Sequence, residues 1–159
     1  MEKTKKIDLT VSACIIFDGK ILLMHHKKLD KWLFPGGHID PNETPDGAIL
    51  REVKEETGLN LIFVNFSELS KSPEEIEKLA IPFHANLHNV GDHDHYCSYY
   101  LGNVDNPNLV KNHESKDLKW FDIEEVKKLE NLLPSIKKMA IHAIEKHNEL
   151  KEKSKINIS

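Results

Sequence analysis

The apolar residues fall into short blocks whose spacing changes along the chain. Leu9 to Asp18 is dense in β-branched and apolar residues and stops at Asp18-Gly19, a hairpin-turn pair. Lys20 to His26 returns as a second strand. Lys31 to Phe34 is a short apolar stretch that runs into Pro35-Gly36-Gly37, read as a turn. The next element is a helix, with Thr44 as N-cap, Pro45 at its first position, Asp46 at its positive end and Gly58 as its stop after Thr57. Leu59 to Phe66 reads as a strand, and Pro73 to Ala80 as one or two helical turns. Pro82 to Val90 and His95 to Val104 flank Gly91-Asp92 as a hairpin. Leu118 to Phe121 reads as a short strand, and Asp122 to Leu129 as a short helix capped by Asp122. From Pro134 to about Leu150 the spacing becomes helical, with Ile136, Met139, Ala140, Ala143 and Ile144 on one face.

Strands and helices interleave, yet several strand pairs are hairpins. The expected fold class is therefore α/β in the broad sense (α+β), a mixed sheet with helices on its faces. The 159 residues fit one domain, placed at residues 1–150, with 151–159 as a disordered tail.

The first helix carries the chemistry. On a wheel of about 100° per residue, Glu52, Glu55 and Glu56 share an arc of about 100°, with Arg51 at its edge. Ile49, Leu50, Val53 and Thr57 occupy the adjacent, core-facing side. Like charges at these spacings cost a few tenths of a kcal/mol per pair, roughly. Three carboxylates need more counter-charge than one arginine supplies, and oxygen-binding divalent cations provide it.

Composition sharpens that picture. Residues 37–59 hold six acids and two bases, a local charge equal to the whole chain's −4. Among 22 basic residues Arg51 is the single arginine. The pI near 6.2 argues against a nucleic-acid-binding surface, and no apolar run reaches the ~20 residues of a membrane span. Met1 to Lys6 is positively charged, but Asp8, Thr10 and Ser12 interrupt the apolar stretch from Ile7 to Phe17, which makes a poor leader. Two cysteines, Cys14 and Cys97, build no disulfide framework, so a cytoplasmic location is expected.

Residues 37–59, GHIDPNETPDGAILREVKEETGL, resemble the Nudix box, G-x5-E-x7-R-E-U-x-E-E-x-G-U. Gly37, Glu43, Arg51, Glu52, Glu55, Glu56 and Gly58 fill its fixed positions, and Val53 and Leu59 its aliphatic ones. At residue frequencies of about 5–7%, seven fixed positions coincide by chance on the order of once in 10⁸ trials. Trp32 to Gly37 (WLFPGG) and Glu114 to Phe121 (ESKDLKWF) are similar to the family's flanking segments, so the likeness covers roughly residues 8–145.

The resemblance implies the Nudix fold, a mixed sheet sandwiched between helices. It also implies hydrolysis of a pyrophosphate bond in a nucleoside diphosphate linked to another moiety, with Mg2+ as cofactor and Mn2+ as a substitute. Glu52, Glu56 and Glu55 are the implied metal ligands, joined by the backbone carbonyl of Gly37. Arg51 would orient the glutamates, and Glu43 and Gly58 would be structural. The general base lies in the box in some members and in a C-terminal loop in others. Glu114 is the candidate for the second arrangement.

Other residues carry weaker readings. Trp32, Tyr96, Tyr99 and Tyr100 are candidates for stacking on a base, against the commoner core role of aromatics in strands. His38 and His25-His26 lie near the box in sequence. His38 and Trp32 are the substrate-binding candidates. His84, His88, His93 and His95 flank a turn, and His93-Asp94-His95 has the look of a metal clip, although most histidines in a histidine-rich chain are solvated.

A nucleoside triphosphate is the substrate favoured by the FPGG segment. ADP-ribose or a nucleotide sugar is the alternative, since Pro73 stands 14 residues after Leu59, near a family marker. A non-catalytic nucleotide-binding domain and an isopentenyl diphosphate isomerase are the remaining rivals. The retained carboxylates argue against the first, and chain length and cysteine placement against the second. The expected partner is a small-molecule nucleotide, with neither nucleic acid nor membrane. A homodimer stays open.

Overall fold

A computed structural model describes residues 5–156. Among the described residues eight strands form one mixed sheet. They are β1 (Ile7–Phe17), β2 (Lys20–His26), β3 (Lys31–Leu33), β4 (Gly36–His38), β5 (Ile62–Phe63), β6 (His84–Asn89), β7 (Asp94–Asn103) and β8 (Ser115–Phe121). The central path runs β3-β2-β1-β7-β5. β4 also pairs with β1, β6 with β7, and β8 with β2. The helices are α1 (Pro45–Thr57), α2 (Ile123–Lys128) and α3 (Pro134–Ile156).

Successive strand residues point to opposite faces, and here both faces are covered. Val11, Ala13, Ile15, Leu22 and Met24 join Ala48, Ile49 and Val53 of α1 in one core. Cys14, Ile16, Ile21 and Leu23 join Val126 of α2 and Ala140, Ala143 and Ile144 of α3 in the other. The uninterrupted apolar runs of β1 and β2 are the sequence trace of this double burial. Both cysteines are free and buried. No helix among the described residues is long and apolar enough to cross a membrane.

The hairpin between β1 and β2 turns on Asp18 (φ 49°) and Gly19 (φ 72°), the paired positive angles that a two-residue reverse turn requires. At the start of α1 the Thr44 hydroxyl accepts from the Gly47 N–H, and Gly58 ends the helix in the left-handed conformation. Asp122 and Glu125 form a capping box on α2.

Five features depart from the sequence reading. Gly36 and Gly37 are not a turn. They form β4, antiparallel to β1, with Val11 opposite Gly37 and Ser12 opposite Gly36. The strand between Leu59 and Phe66 shrinks to Ile62–Phe63. β1 occupies one edge of β7, while β6 takes Asp94 to Tyr99 on the other, leaving Gly102 and Asn103 for β5. Residues 73–80 form turns without a helix. Ile76 is 95% exposed there, so no apolar face is buried to support one. Leu50, read as core-facing, is exposed, and Glu56 takes a buried place on the helix instead. α3 continues through 151–156 of the expected tail, because its lysines and glutamates are good helix formers with no breaker among them. Residues 157–159 lie outside the described residues.

Candidate active site

The site is built where the N-terminal part of β4 meets α1. Gly36 and Gly37 lie under the helix because neither carries a side chain. A Cβ on Gly37 would run into the Glu52 carboxylate. One on Gly36 would run into the Val11 carbonyl oxygen and stand 2.8 Å from the Ser12 Cα. The closeness of these two glycines to β1 and α1 is thus a steric requirement of the fold.

Glu56 is the buried member of the carboxylate trio, at 2% exposure. Its Oε1 accepts from the Gly36 N–H at 3.1 Å, and its Oε2 is buried with no hydrogen-bond partner among the described residues. Burial pushes its pKa well above the usual carboxyl range. The Gly36 N–H opposes that shift, and the nearby Glu52 and Glu114 add to it. The Glu52 side chain is mostly covered, and that of Glu55 is exposed. The three carboxylates thus form a graded set, from buried to solvated, along one helix.

Arg51 is committed to its neighbours. Its Nε and Nη2 donate to the two carboxylate oxygens of Glu43 at 2.8 and 2.9 Å, a bidentate fork. Nη1 donates to Glu52 Oε1 at 3.0 Å, and Nη2 also to the His38 carbonyl at 3.2 Å. Glu55 and Asp40 stand at 3.5 Å. One planar guanidinium therefore ties the loop before α1 to the glutamates of its last two turns, a geometry an ammonium cannot reproduce. Glu43 Oε1 also accepts from the Asp40 N–H at 3.1 Å.

Hydrogen bonding from Arg51, with a smaller share from that backbone N–H, holds Glu43 at a pKa of about 2. Its folded-state pKa therefore lies below the unfolded value of about 4.3. The stabilisation is present above about pH 4.5 and is lost as pH falls through about 2. Urea unfolding of wild type and Glu43→Gln should thus give midpoints well separated at pH 7 that converge as the pH drops below 4. A gap constant with pH would mean that the ion pair contributes nothing.

Gly58 ends α1 at φ 75°, and a Cβ there would lie 2.9 Å from that of Val110. Val110 N–H in turn donates to the Thr57 carbonyl at 2.8 Å. Glu114 is exposed, in a loop whose turn is set by its N–H donating to Asn112 Oδ1, and whose carbonyl accepts from Lys27 N–H. Its charge reaches Glu56. Trp32 is half-buried, stacked on His25 at 4.9 Å and edge-on to Phe121 at 5.0 Å. The His38 ring lies beside Asp8 and His95, while its backbone carbonyl serves Arg51. Tyr99 and Tyr100 are core residues, and Tyr96 is exposed.

One buried acid had no place in the sequence reading beyond the helix dipole. Asp46 is 7% exposed, and its Oδ2 accepts from the Ala80 N–H at 2.8 Å, which anchors the long loop after β5 to the start of α1. An acid in the first turn of a helix gives no warning of such a distant partner.

The NUDIX domain family profile matches residues 6–142. The chain belongs to the Nudix family. A Nudix-family hydrolase structure from Clostridium perfringens is 36% identical, with a TM-score of 0.75 over 87% of this chain and 96% of that one. The MutT protein of Methanosarcina mazei Go1 shares the fold, at 19% identity and a TM-score of 0.70 over 92% and 99%. Among curated relatives, the mouse (Mus musculus) diphosphoinositol polyphosphate phosphohydrolase 3-alpha is 42% identical over 53 residues, 30% of this chain and 32% of its own. The match thus spans about a third of that relative's length. This Nudix domain keeps all seven fixed positions of the box; Arg51 joins Glu43 to Glu52, Gly37 lies against Glu52, and Gly58 packs on Val110 at the helix end.

Proposed function

We propose that the protein is a metal-dependent hydrolase that cleaves a pyrophosphate bond in a nucleoside diphosphate linked to another moiety, with a nucleoside triphosphate as the preferred substrate. The observation that carries the reading is Glu56, a buried carboxyl with one oxygen left without a partner beside a second carboxyl. An unpaired carboxylate oxygen in that position is expensive unless a proton or a cation meets it. The donors around it are all oxygens, the set that Mg2+ or Mn2+ prefers.

Glu52, Glu55, Glu56 and the Gly37 carbonyl are the residues that would hold the cation. When bound, it would polarise the phosphate chain and acidify a water. Arg51 fixes the orientation of Glu52 and leaves Glu55 freer at the exposed end. The Gly36 N–H holds Glu56 Oε1, so its other oxygen keeps one direction. Trp32 is assigned to the substrate side as the remaining sequence candidate, since the His38 ring is turned toward Asp8 and His95. The buried free cysteines fit a reducing, cytoplasmic setting.

Glu114 is assigned as the general base, on its exposure and its charge coupling to Glu56. Glu114→Gln should then lower kcat by about 10²–10⁴-fold with KM little changed. Full activity in that variant would place the base within the box.

The test of the function is product release from a substrate panel with and without Mg2+ or Mn2+. The panel holds nucleoside triphosphates (including an oxidised purine), ADP-ribose, nucleotide sugars and dinucleoside polyphosphates. Mg2+-dependent cleavage confined to triphosphates supports the reading, and cleavage of ADP-ribose or a nucleotide sugar replaces its substrate. A diphosphoinositol polyphosphate belongs in the panel because of the 53-residue likeness to the mouse relative. Folded protein that cleaves none of them would mark a non-catalytic nucleotide-binding domain.

A further inference from the structure

A second group of donors lies on the strands. Asp8 on β1 is the cross-strand partner of His95 on β7, and His38 on β4 pairs with Thr10, two residues along the same face of β1. His93, in the turn before β7, folds over them. One ligand-type atom from each of Asp8, His38, His93 and His95 lies within 4.8 Å of all the others.

Three of the six donor–donor spacings match the edges of a tetrahedral ion's ligand shell, and the others stay within 4.8 Å. His93 Nε2 lies 3.1 Å from His95 Nε2 and 3.3 Å from Asp8 Oδ2, and His38 Nε2 lies 3.3 Å from the same oxygen. Bonds of about 2.0–2.1 Å to zinc imply ligand–ligand edges of about 3.3–3.4 Å. The other ring nitrogen of His93 lies 2.7 Å from Asp92 Oδ1, which accepts its proton. The Nε2 of His93 is left facing the Asp8 carboxylate and the His95 ring nitrogen. A proton on Nε2 could satisfy one of its two neighbours, whereas a cation satisfies all of them. Asp92 completes the carboxylate–histidine pairing that orients metal-bound imidazoles.

We propose that Asp8, His38, His93 and His95 form a four-coordinate site for a borderline divalent cation of the zinc class, separate from the oxygen donors of α1. Its three imidazoles select against magnesium. The ion would join β1, β4 and β7 at the strand whose His38 carbonyl receives Arg51. The sequence pointed at His93-Asp94-His95, but Asp94 is engaged by Asn89 at 2.8 Å, and the acid comes from Asp8, some 85 residues away.

The experiment is a Co2+ titration of the metal-free full-length protein, followed by displacement with Zn2+. The expected result is one equivalent of Co2+ giving the intense visible bands of a tetrahedral site, erased by one equivalent of Zn2+ and unaffected by excess Mg2+. His95→Ala should weaken binding at least 100-fold. Asp92→Asn, at an exposed residue whose replacement leaves the fold intact, should weaken it about 10–100-fold. The bands should persist in a Glu52→Gln, Glu56→Gln double variant. Three results overturn the proposal: no saturable binding or only weak octahedral bands, bands that survive His95→Ala at full strength with Asp92→Asn unchanged, or bands lost in the double glutamate variant.

Discussion

Glu56→Gln should lose on the order of 10³-fold or more in Mg2+-dependent turnover, about 4 kcal/mol of barrier, while the protein stays folded. The two halves of this expectation come from one geometry. Glutamine has the shape of glutamate, so its amide oxygen still accepts from the Gly36 N–H that now holds Oε1. Its NH2 occupies the side where Oε2 is buried without a partner. Burial already disfavours the charged form of this acid, so an uncharged side chain of the same shape should cost little stability. What disappears is the negative oxygen that a cation needs. Thermal unfolding with and without Mn2+ separates the effects. Wild type should gain stability from the cation by mass action, and the variant should gain none. Equal stabilisation of both proteins, or turnover within tenfold of wild type, would remove Glu56 from the metal site.

Gly36→Ala is the substitution with the largest expected effect on the fold. The added Cβ meets the Val11 carbonyl and stands 2.8 Å from the Ser12 Cα, both of them backbone atoms of a central strand. A flexible side chain can swing away, but β1 is fixed by ten parallel pairs with β7. Overpacking of this kind costs about 1–3 kcal/mol, and rigid neighbours place it at the upper end. For a chain of this length that lowers Tm by about 5–10 °C. Activity should fall with it, because β4 can relieve the clash only by retreating, and the N–H of Gly36 then leaves Glu56. Circular dichroism melting and turnover on the same preparation read both changes. A variant that melts with wild type would show that β4 does not lie so close to β1.

The sequence made α1 legible almost to the residue, because every signal there is local. Thr44, Pro45 and Gly58 act within one turn of where they stand. The box could be matched for the same reason, since its fixed residues lie on a single loop and helix. What escaped depended on distant partners. Gly36 and Gly37 look like turn residues until β1 is beside them, and then their missing side chains permit a strand. Glu56 looks solvated among glutamates, although it stands three residues after the core residue Val53 and so borders the buried stripe. Asp46 and Asp8 each meet partners in another part of the chain, at Ala80 and at His93. β5 was overestimated because no local pattern reveals that β6 has already taken most of the β7 edge.

The parallel pairing of β1 with β7 also sets the order in which the chain can assemble. Ile7 pairs with Asp94 and Ile16 with Asn103, so the middle of the sheet closes only after some 87 intervening residues are in place. Pairings of such high sequence separation bear the loop-closure entropy before any contact rewards it, and they slow folding. The β1–β2 hairpin and α1 need only near neighbours. On a ribosome the glutamate helix can therefore form early, while β1 waits with the backbone N–H and C=O groups of one edge unpaired until residues 94–103 have emerged.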